Sequence, residues 1–406
     1  MQGFAVKRLI APLFIRDFFL LWIGQTISAI GNPFQTVAVT WLVLLLKGSP
    51  LDLAYTMLIL TIPQALMTLG GGVLIDRYNS RIIILISDLT RMMTSGIIAL
   101  LAMNGHLSLW LLFMILIFHS VANGIFRPAR RSMVPQLAPQ ETLDGANSLM
   151  ELTSKFGTLL GAIPAGILIA HSNPAMAFAL NSLSFALSVL ATLFITPQQY
   201  AAPNRKTSLF SNAWQGFLHL RLIPWLVALL LLDACAAIAC IGPITIGLPL
   251  LAKNVLHNNA QGYSLLVWSF GVGSALGILS PAIFQIRRHR GWFFCLIQIA
   301  EAPFLAGVVF TPLPLAMLCL ASAGALNGML SVLLLSLIQA NVAKEMMGRM
   351  MSFFMLASMG LTPFSLFISG LIADATTIQV LFVFAGLVTL LSAVLGLLVP
   401  SLHRLN

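Results

Sequence analysis

Residues Gly70–Arg81 read GGGVLIDRYNSR. Three glycines run into one carboxylate and two guanidinium groups, Asp76, Arg77 and Arg81, in a chain of which only 8% is Asp, Glu, Lys or Arg. On either side lie the long apolar runs 52–75 and 82–103. Each meets the length of about 20 mostly apolar residues that a membrane-crossing helix needs. A short charged turn between two such runs reads as a loop at a membrane face.

Working outward, the same pattern recurs along the whole chain. Apolar runs fall at 18–46, 52–75, 82–103, 107–126, 145–170, 174–196, 223–251, 262–285, 292–311, 313–340, 350–373 and 378–399, twelve in all. Of the 406 residues 59% are hydrophobic, against about 45–50% in a soluble domain, which excludes a soluble fold. The longest polar stretch lies between runs six and seven. The expected organisation is therefore a six-helix bundle over 1–196, a linker over 197–222 and a second six-helix bundle over 223–406. The fold class is all-α integral membrane, with twelve transmembrane helices in two bundles.

Basic residues set the orientation. With the N-terminus on the cytoplasmic side, 17 of the 21 Lys and Arg fall in cytoplasmic segments, and the outside loops hold Lys47 and Lys253. This is the positive-inside bias, and it places both termini in the cytoplasm of a cytoplasmic (inner) membrane protein. The net charge of +10 then reports topology and attraction to anionic membrane lipid. Its scatter over seven segments argues against nucleic acid as a partner.

The halves repeat. VPQLAPQETLDGANSL precedes run five, which continues to GAIPAGILI; NVAKEMMGRMMSF precedes run eleven, which continues to GLTPFSLFISGLIAD. Each pairs an acidic residue (Glu141, Glu345) with a nearby glycine and a Gly/Pro-interrupted helix. Matched halves suggest two bundles about a central path.

Chemistry-bearing motifs are few. The sequence carries no phosphate-binding loop, HExxH, GxSxG or Cys/His ligand set, so neither an enzyme, a metal site nor a cofactor is expected. Cys235, Cys240, Cys295 and Cys319 sit in apolar runs and read as small buried hydrophobes. The basic start runs straight into a full-length apolar segment, so no cleavable signal peptide is expected.

The loop quoted above resembles the signature of the major facilitator superfamily: glycine, three residues, aspartate, a basic residue, one residue, glycine, then two basic residues. Gly72, Asp76, Arg77 and Arg81 fit; Asn79 stands for the second glycine and Ser80 for a basic residue. Asn tolerates the left-handed backbone that glycine would take, which would keep the turn. The three glycines admit a close helix neighbour, Asp76 suits the positive end of a facing helix, and Arg77 and Arg81 would anchor at lipid headgroups. With Arg349 at the head of run eleven, this loop is expected to gate the cytoplasmic face. WIGQTISAIGNPFQTVAVTWLVLLLKGSPLDLA, LISDLTRM, FRPARRSMVPQLAPQETLDGANSL and GRMMSF are similar to the drug:proton antiporter branch with macrolide-efflux and enterobactin-exporter proteins. ANSLMELTSKFGTLLGAIPAGIL also resembles lysophospholipid transporters of the superfamily.

The resemblance implies alternating access driven by a proton gradient, with a small amphipathic substrate and a monomeric transporter. Exporters of the superfamily carry a Gly/Pro-rich helix five, here Gly157, Gly161, Pro164 and Gly166, a candidate hinge that implies export. Lipid transport is the alternative, and a receptor without flux is the alternative of another class.

Ionisable residues inside a membrane are costly and mark function by default. Asp88 and Arg91 are spaced to pair with each other. Glu151 and Lys155 are spaced i,i+4 in the order that favours a salt bridge or a proton-linked pair. Asp233 has no basic residue within one turn and is the first candidate for proton coupling. Glu301 is weaker, because the resemblance implies a peripheral helix nine, and His119 is the remaining candidate. Gln25, Asn32, Phe34, Gln35, Asn123 and Asn327 are candidate cavity residues, with Trp22, Trp41 and Trp268 as further aromatic walls.

Overall fold

The computed structural model describes residues 10–75, 78–196, 224–283, 290–342 and 344–403. Among these are twelve helices long and apolar enough to cross a membrane. In chain order they are α1 (Arg16–Leu45), α2 (Pro50–Ile75), α3 (Ser80–Met103), α4 (Leu109–Leu137), α5 (Leu143–His171) and α6 (Pro174–Leu193). The second set is α7 (Pro224–Gly242), α8 (Ala260–Ile283), α9 (Arg290–Gly307), α10 (Leu313–Asn341), α11 (Lys344–Ala375) and α12 (Ile378–Leu397).

Local chemistry sets the ends. Ser49 and Asp52 form a reciprocal cap at the head of α2: Asp52 Oδ2 accepts from the Ser49 N–H at 2.8 Å, and the Asp52 N–H donates to Ser49 Oγ at 3.1 Å. Each bond satisfies a main-chain donor that a helix start leaves free. Asn173 caps α6 by accepting from the Met176 N–H at 3.1 Å. Gly105 ends α3 with φ +70°, and the His106 N–H turns back to the Leu101 carbonyl at 3.0 Å. Glycine takes that left-handed turn without steric cost.

The chain forms two compact units, Met1–Gly48 with Thr56–Asn204, and Ser49–Tyr55 with Arg205–Asn406. In the first, α1 packs on α5 and α6, and α3 packs on α4 and α6. In the second, α7 packs on α11 and α12, and α9 packs on α10 and α12. The four pairs correspond under a shift of six helices, as a parallel repeat requires. α2 also meets α4 in the first unit and α8 meets α10 in the second, the latter along a seam of small residues. Gly273 and Gly277 of α8 lie against the Ala321 and Ala325 carbonyls, and Gly324 and Gly328 of α10 lie against the Phe270 and Ser274 carbonyls. Small residues four apart on both helices let the backbones touch, which drives helix association in lipid.

Three helices depart from the apolar runs. α4 continues past 126 to Leu137, through Pro128 and Pro135. Pro128 lacks the N–H that would serve the Gly124 carbonyl; the Thr68 hydroxyl of α2 serves it instead, at 3.2 Å. Gly71, one of the glycines that opened the reading, faces the Pro128 ring, where an added Cβ would lie 2.9 Å from Cγ, whereas Gly70 faces open space. α7 passes into π-turns over Pro243–Gly247 and Leu251–Val255, with one α-turn between. There the Ser365 hydroxyl of α11 enters the backbone ladder. It accepts from the Gly242 N–H at 2.8 Å and donates to the Ile238 carbonyl at 2.7 Å. A side chain inserted between those two groups re-spaces the helix. Finally, α11 begins at Lys344 rather than 350, because its polar first turns are helical although not apolar.

Candidate functional site

Each unit holds a cavity. That of the first unit measures about 480 Å³ and that of the second about 510 Å³.

The first cavity is polar. The cavity candidates Gln25, Asn32 and Gln35 of α1 and Asn123 of α4 line it, with the proton-coupling candidate His119 of α4. Phe34 is half-buried and does not line it; the aromatic wall is Phe126. Arg91, Arg127, Arg130 and Arg131 line it as well, with Glu151.

A buried network holds these side chains. Arg91 pairs with Asp88, and the two are 2% and 0% exposed. Ser188 of α6 donates to Asp88 Oδ2 at 2.7 Å, and Gln25 Nε2 donates to Ser188 Oγ at 3.4 Å. Gln35 Oε1 accepts from Ser95 at 2.9 Å and from Asn181 at 2.5 Å. Arg91 also donates to Asn123 Oδ1 at 3.4 Å, and its guanidinium lies over the Phe126 ring at 3.9 Å and the Phe185 ring at 4.5 Å. Stacking of this kind suits a planar, weakly hydrated cation. His119 Nδ1 hydrogen-bonds Thr94 Oγ1 at 2.9 Å, so the histidine is packed and partnered while still reaching the wall.

The second cavity is mainly apolar, with Ala236, Ile241, Phe270, Phe294, Leu334 and Phe354 on its wall, and Asp233 of α7 and Asn327 of α10 among them. Trp268 is not part of this wall. Asp233 is half-buried and, among the described residues, has neither hydrogen bond nor ion pair. Glu301 of α9 sits behind the wall, 1% exposed, and accepts from Asn327 Nδ2 at 3.3 Å. α9 turns Glu301 into the unit, toward the wall residue Asn327, on the inner face of the helix expected to be peripheral. Gln298, one turn earlier, donates to the Leu232 carbonyl at 3.1 Å and leaves Oε1 buried without a partner among the described residues.

Other expected residues lie elsewhere. Glu151 and Lys155 are both exposed and do not pair; Glu151 shares the cavity wall with Arg130 of α4. Helix spacing permits a pair but does not impose one when a second cation stands opposite. Gly157 and Gly161 pack on α1, against Ala29 and against Ile30 and Pro33, and α5 runs through Pro164 and Gly166 as one helix. Asp76 and Arg77 lie outside the described residues; Gly72 and Arg349 lie within α2 and α11. Arg81, expected at lipid headgroups, has partners within the protein. Its Nε and Nη2 donate to the Thr192 and Leu193 carbonyls at 3.2 and 2.7 Å, closing the C-terminal end of α6, where a cation is favoured. Asn79 takes an extended backbone, φ −61° and ψ 127°, and caps α3; no left-handed turn is needed there.

The arginines of α4 were read from sequence only as topology markers. The signal was present in the spacing of Arg127, Arg130 and Arg131, which share a helical face, but it requires α4 to continue beyond its apolar run.

The chain is similar over nearly its full length to proteins of known role. It is 24% identical to "Multidrug efflux pump Tap" of Mycolicibacterium fortuitum, over 95% of this chain and 96% of that protein. It is 22% identical to "Macrolide efflux protein A" of Streptococcus pyogenes, over 96% and 97%. The crystal structure of nucleoside transporter NupG matches its fold with a TM-score of 0.75 at 15% identity, over 94% of this chain and 98% of that one. The model of the "Transmembrane secretion effector" family matches residues 8–404. The chain therefore belongs to the transmembrane secretion effector family of the major facilitator superfamily, as a multi-pass membrane transporter.

Proposed function

We propose that this protein exports amphipathic small molecules, such as drugs or siderophores, from the cytoplasm by proton-driven antiport. It would work in the cytoplasmic membrane as a monomer with both termini inside. The observation that carries this reading is Asp233, a carboxylate on the wall of an apolar cavity with no charged or hydrogen-bonding partner among the described residues. Such a group is easily neutralised by a proton. Protonation removes a charge from a low-dielectric wall, and so changes the relative stability of the inward- and outward-open states. Glu301 behind Asn327 is the next proton carrier, ahead of Glu151 and His119. The efflux names of the two relatives support the direction of transport. In this reading the Asp76 loop secures the cytoplasmic gate.

The test is purified protein in liposomes with a pH-sensitive dye inside, challenged with macrolides, cationic dyes, catechol siderophores and lysolipids. Substrate-dependent proton movement that disappears in Asp233→Asn is the expected result. Proton movement that persists unchanged in that variant removes Asp233 from the mechanism.

A further inference from the structure

The function proposed above assigns no role to the arginines of the first cavity. Arg127, Arg130 and Arg131 make no hydrogen bond or ion pair among the described residues. They stand on one helical face, where like charges repel. Only Glu151 shares the wall with them, and Asp88 is already engaged by Arg91 and Ser188. Four guanidinium groups against two carboxylates leave the cavity cationic.

A second, independent observation comes from the buried polar atoms. Among the described residues Arg91 Nε and Ser28 Oγ have no partner, although both side chains line this cavity and are only 2% and 3% exposed. A buried donor without a partner costs about 1–3 kcal/mol; a side-chain rotation that turns it to the cavity would let a ligand oxygen relieve that cost. Guanidinium groups match the planar, two-oxygen faces of carboxylate and phosphate. The amides Asn123 and Gln64, bonded to each other at 2.9 Å, add polar surface beside them. A volume of about 480 Å³ is within the range of small-molecule sites.

We infer that the cavity of the first unit binds the anionic group, phosphate or carboxylate, of an amphipathic substrate, with Arg127 and Arg130 as its principal cations and Arg91 and Ser28 as buried donors. The site stands on this geometry alone; calling its ligand an exported substrate rests on the function proposed above.

The experiment measures equilibrium binding to the purified full-length protein in neutral detergent. Hexyl phosphate, hexanoate and hexyltrimethylammonium share one water-soluble tail and differ in head charge. The two anions should bind at least about tenfold more tightly than the cation, and Arg127→Gln/Arg130→Gln should remove at least about tenfold of that affinity. The milder Arg127→Lys/Arg130→Lys pair should lose less, which keeps the test valid if the glutamine pair does not fold. Lys47→Gln, at an exposed turn, should change nothing. Hexanoyl lysophosphatidic acid binding above hexyl phosphate would point to a lipid headgroup as the source of the anion, and the reverse order to a non-lipid amphipath. Inorganic phosphate binding as tightly as hexyl phosphate would overturn the amphipathic part of the inference. Equal affinity for anion and cation, or an anion preference untouched by both arginine pairs, would overturn the site. Anion binding without any proton-linked flux in liposomes would sink the export reading and leave the site standing.

Discussion

The two cavities are alike in volume and opposite in chemistry. The first is walled by amides, hydroxyls and four arginines; the second is walled by alanine, isoleucine, leucine and phenylalanine around one carboxylate. The helix pairings that enclose them correspond one to one, so the scaffold does not account for the difference; the side chains do. Buried polar groups of the first unit are tied into a network from Gln25 through Ser188 to Asp88 and Arg91. In the second unit Asp233 stands without such ties among the described residues. A networked charge is costly to disturb, while a lone one is free to change its protonation. The contrast suggests a division of labour: recognition in the first unit, energy coupling in the second.

Stability measurements can break this contrast. The largest effect is expected from Asp88→Ala, which leaves Arg91 buried with a bare charge; removing one partner of a buried pair costs about 3–5 kcal/mol. A lowered thermal midpoint of the purified protein in detergent would register it, and an unchanged midpoint would mean that the network does not hold the first unit together. A smaller loss, about 1–3 kcal/mol, is expected from Gly277→Ala, which forces α8 from the Ala325 carbonyl. A milder loss of thermal midpoint than in Asp88→Ala is the check, and no loss would show that the seam tolerates a methyl group. The smallest change sharpens the comparison most. Asp233→Leu should leave the midpoint unchanged or slightly raised, since it removes a half-buried charge that has no partner among the described residues. A loss as large as that of Asp88→Ala would make Asp233 a structural residue and erase the distinction.

Much of the fold was legible because membrane crossing leaves a plain mark. A run of about 20 apolar residues reads as a helix, because only helices and closed barrels satisfy their backbone in lipid and barrel strands are about half that length. The polar ends of helices leave no such mark. α4 and α11 extend through charged turns, and the apolar run of α4 stops just before Arg127, where the cavity arginines begin. Site residues were readable where polarity was out of place, as with Gln25, Gln35, Asn123 and Asp233. They were unreadable where polarity had another ready explanation, as with Arg127 and Arg130, which fit the inside bias equally well. Spacing along a single helix also misled: Glu151 and Lys155 are placed to pair but do not, and Glu151 shares its wall with Arg130 on another helix. The glycine seam of α8 and α10 was present in the four-residue spacing of Gly273 with Gly277 and of Gly324 with Gly328, and needed the pairing of the two helices to be seen.

The central claim is that the two cavities do different things, and one crossed measurement addresses it. Substrate binding and substrate-driven proton flux would be measured on the same liposome preparations for the wild type, Asp233→Asn and Arg127→Gln/Arg130→Gln. The account predicts that Asp233→Asn abolishes proton flux with affinity little changed. It predicts that the arginine pair weakens binding about tenfold or more while protons moved per substrate stay the same. If both variants damaged the same quantity, binding or coupling, the division between the cavities would be contradicted.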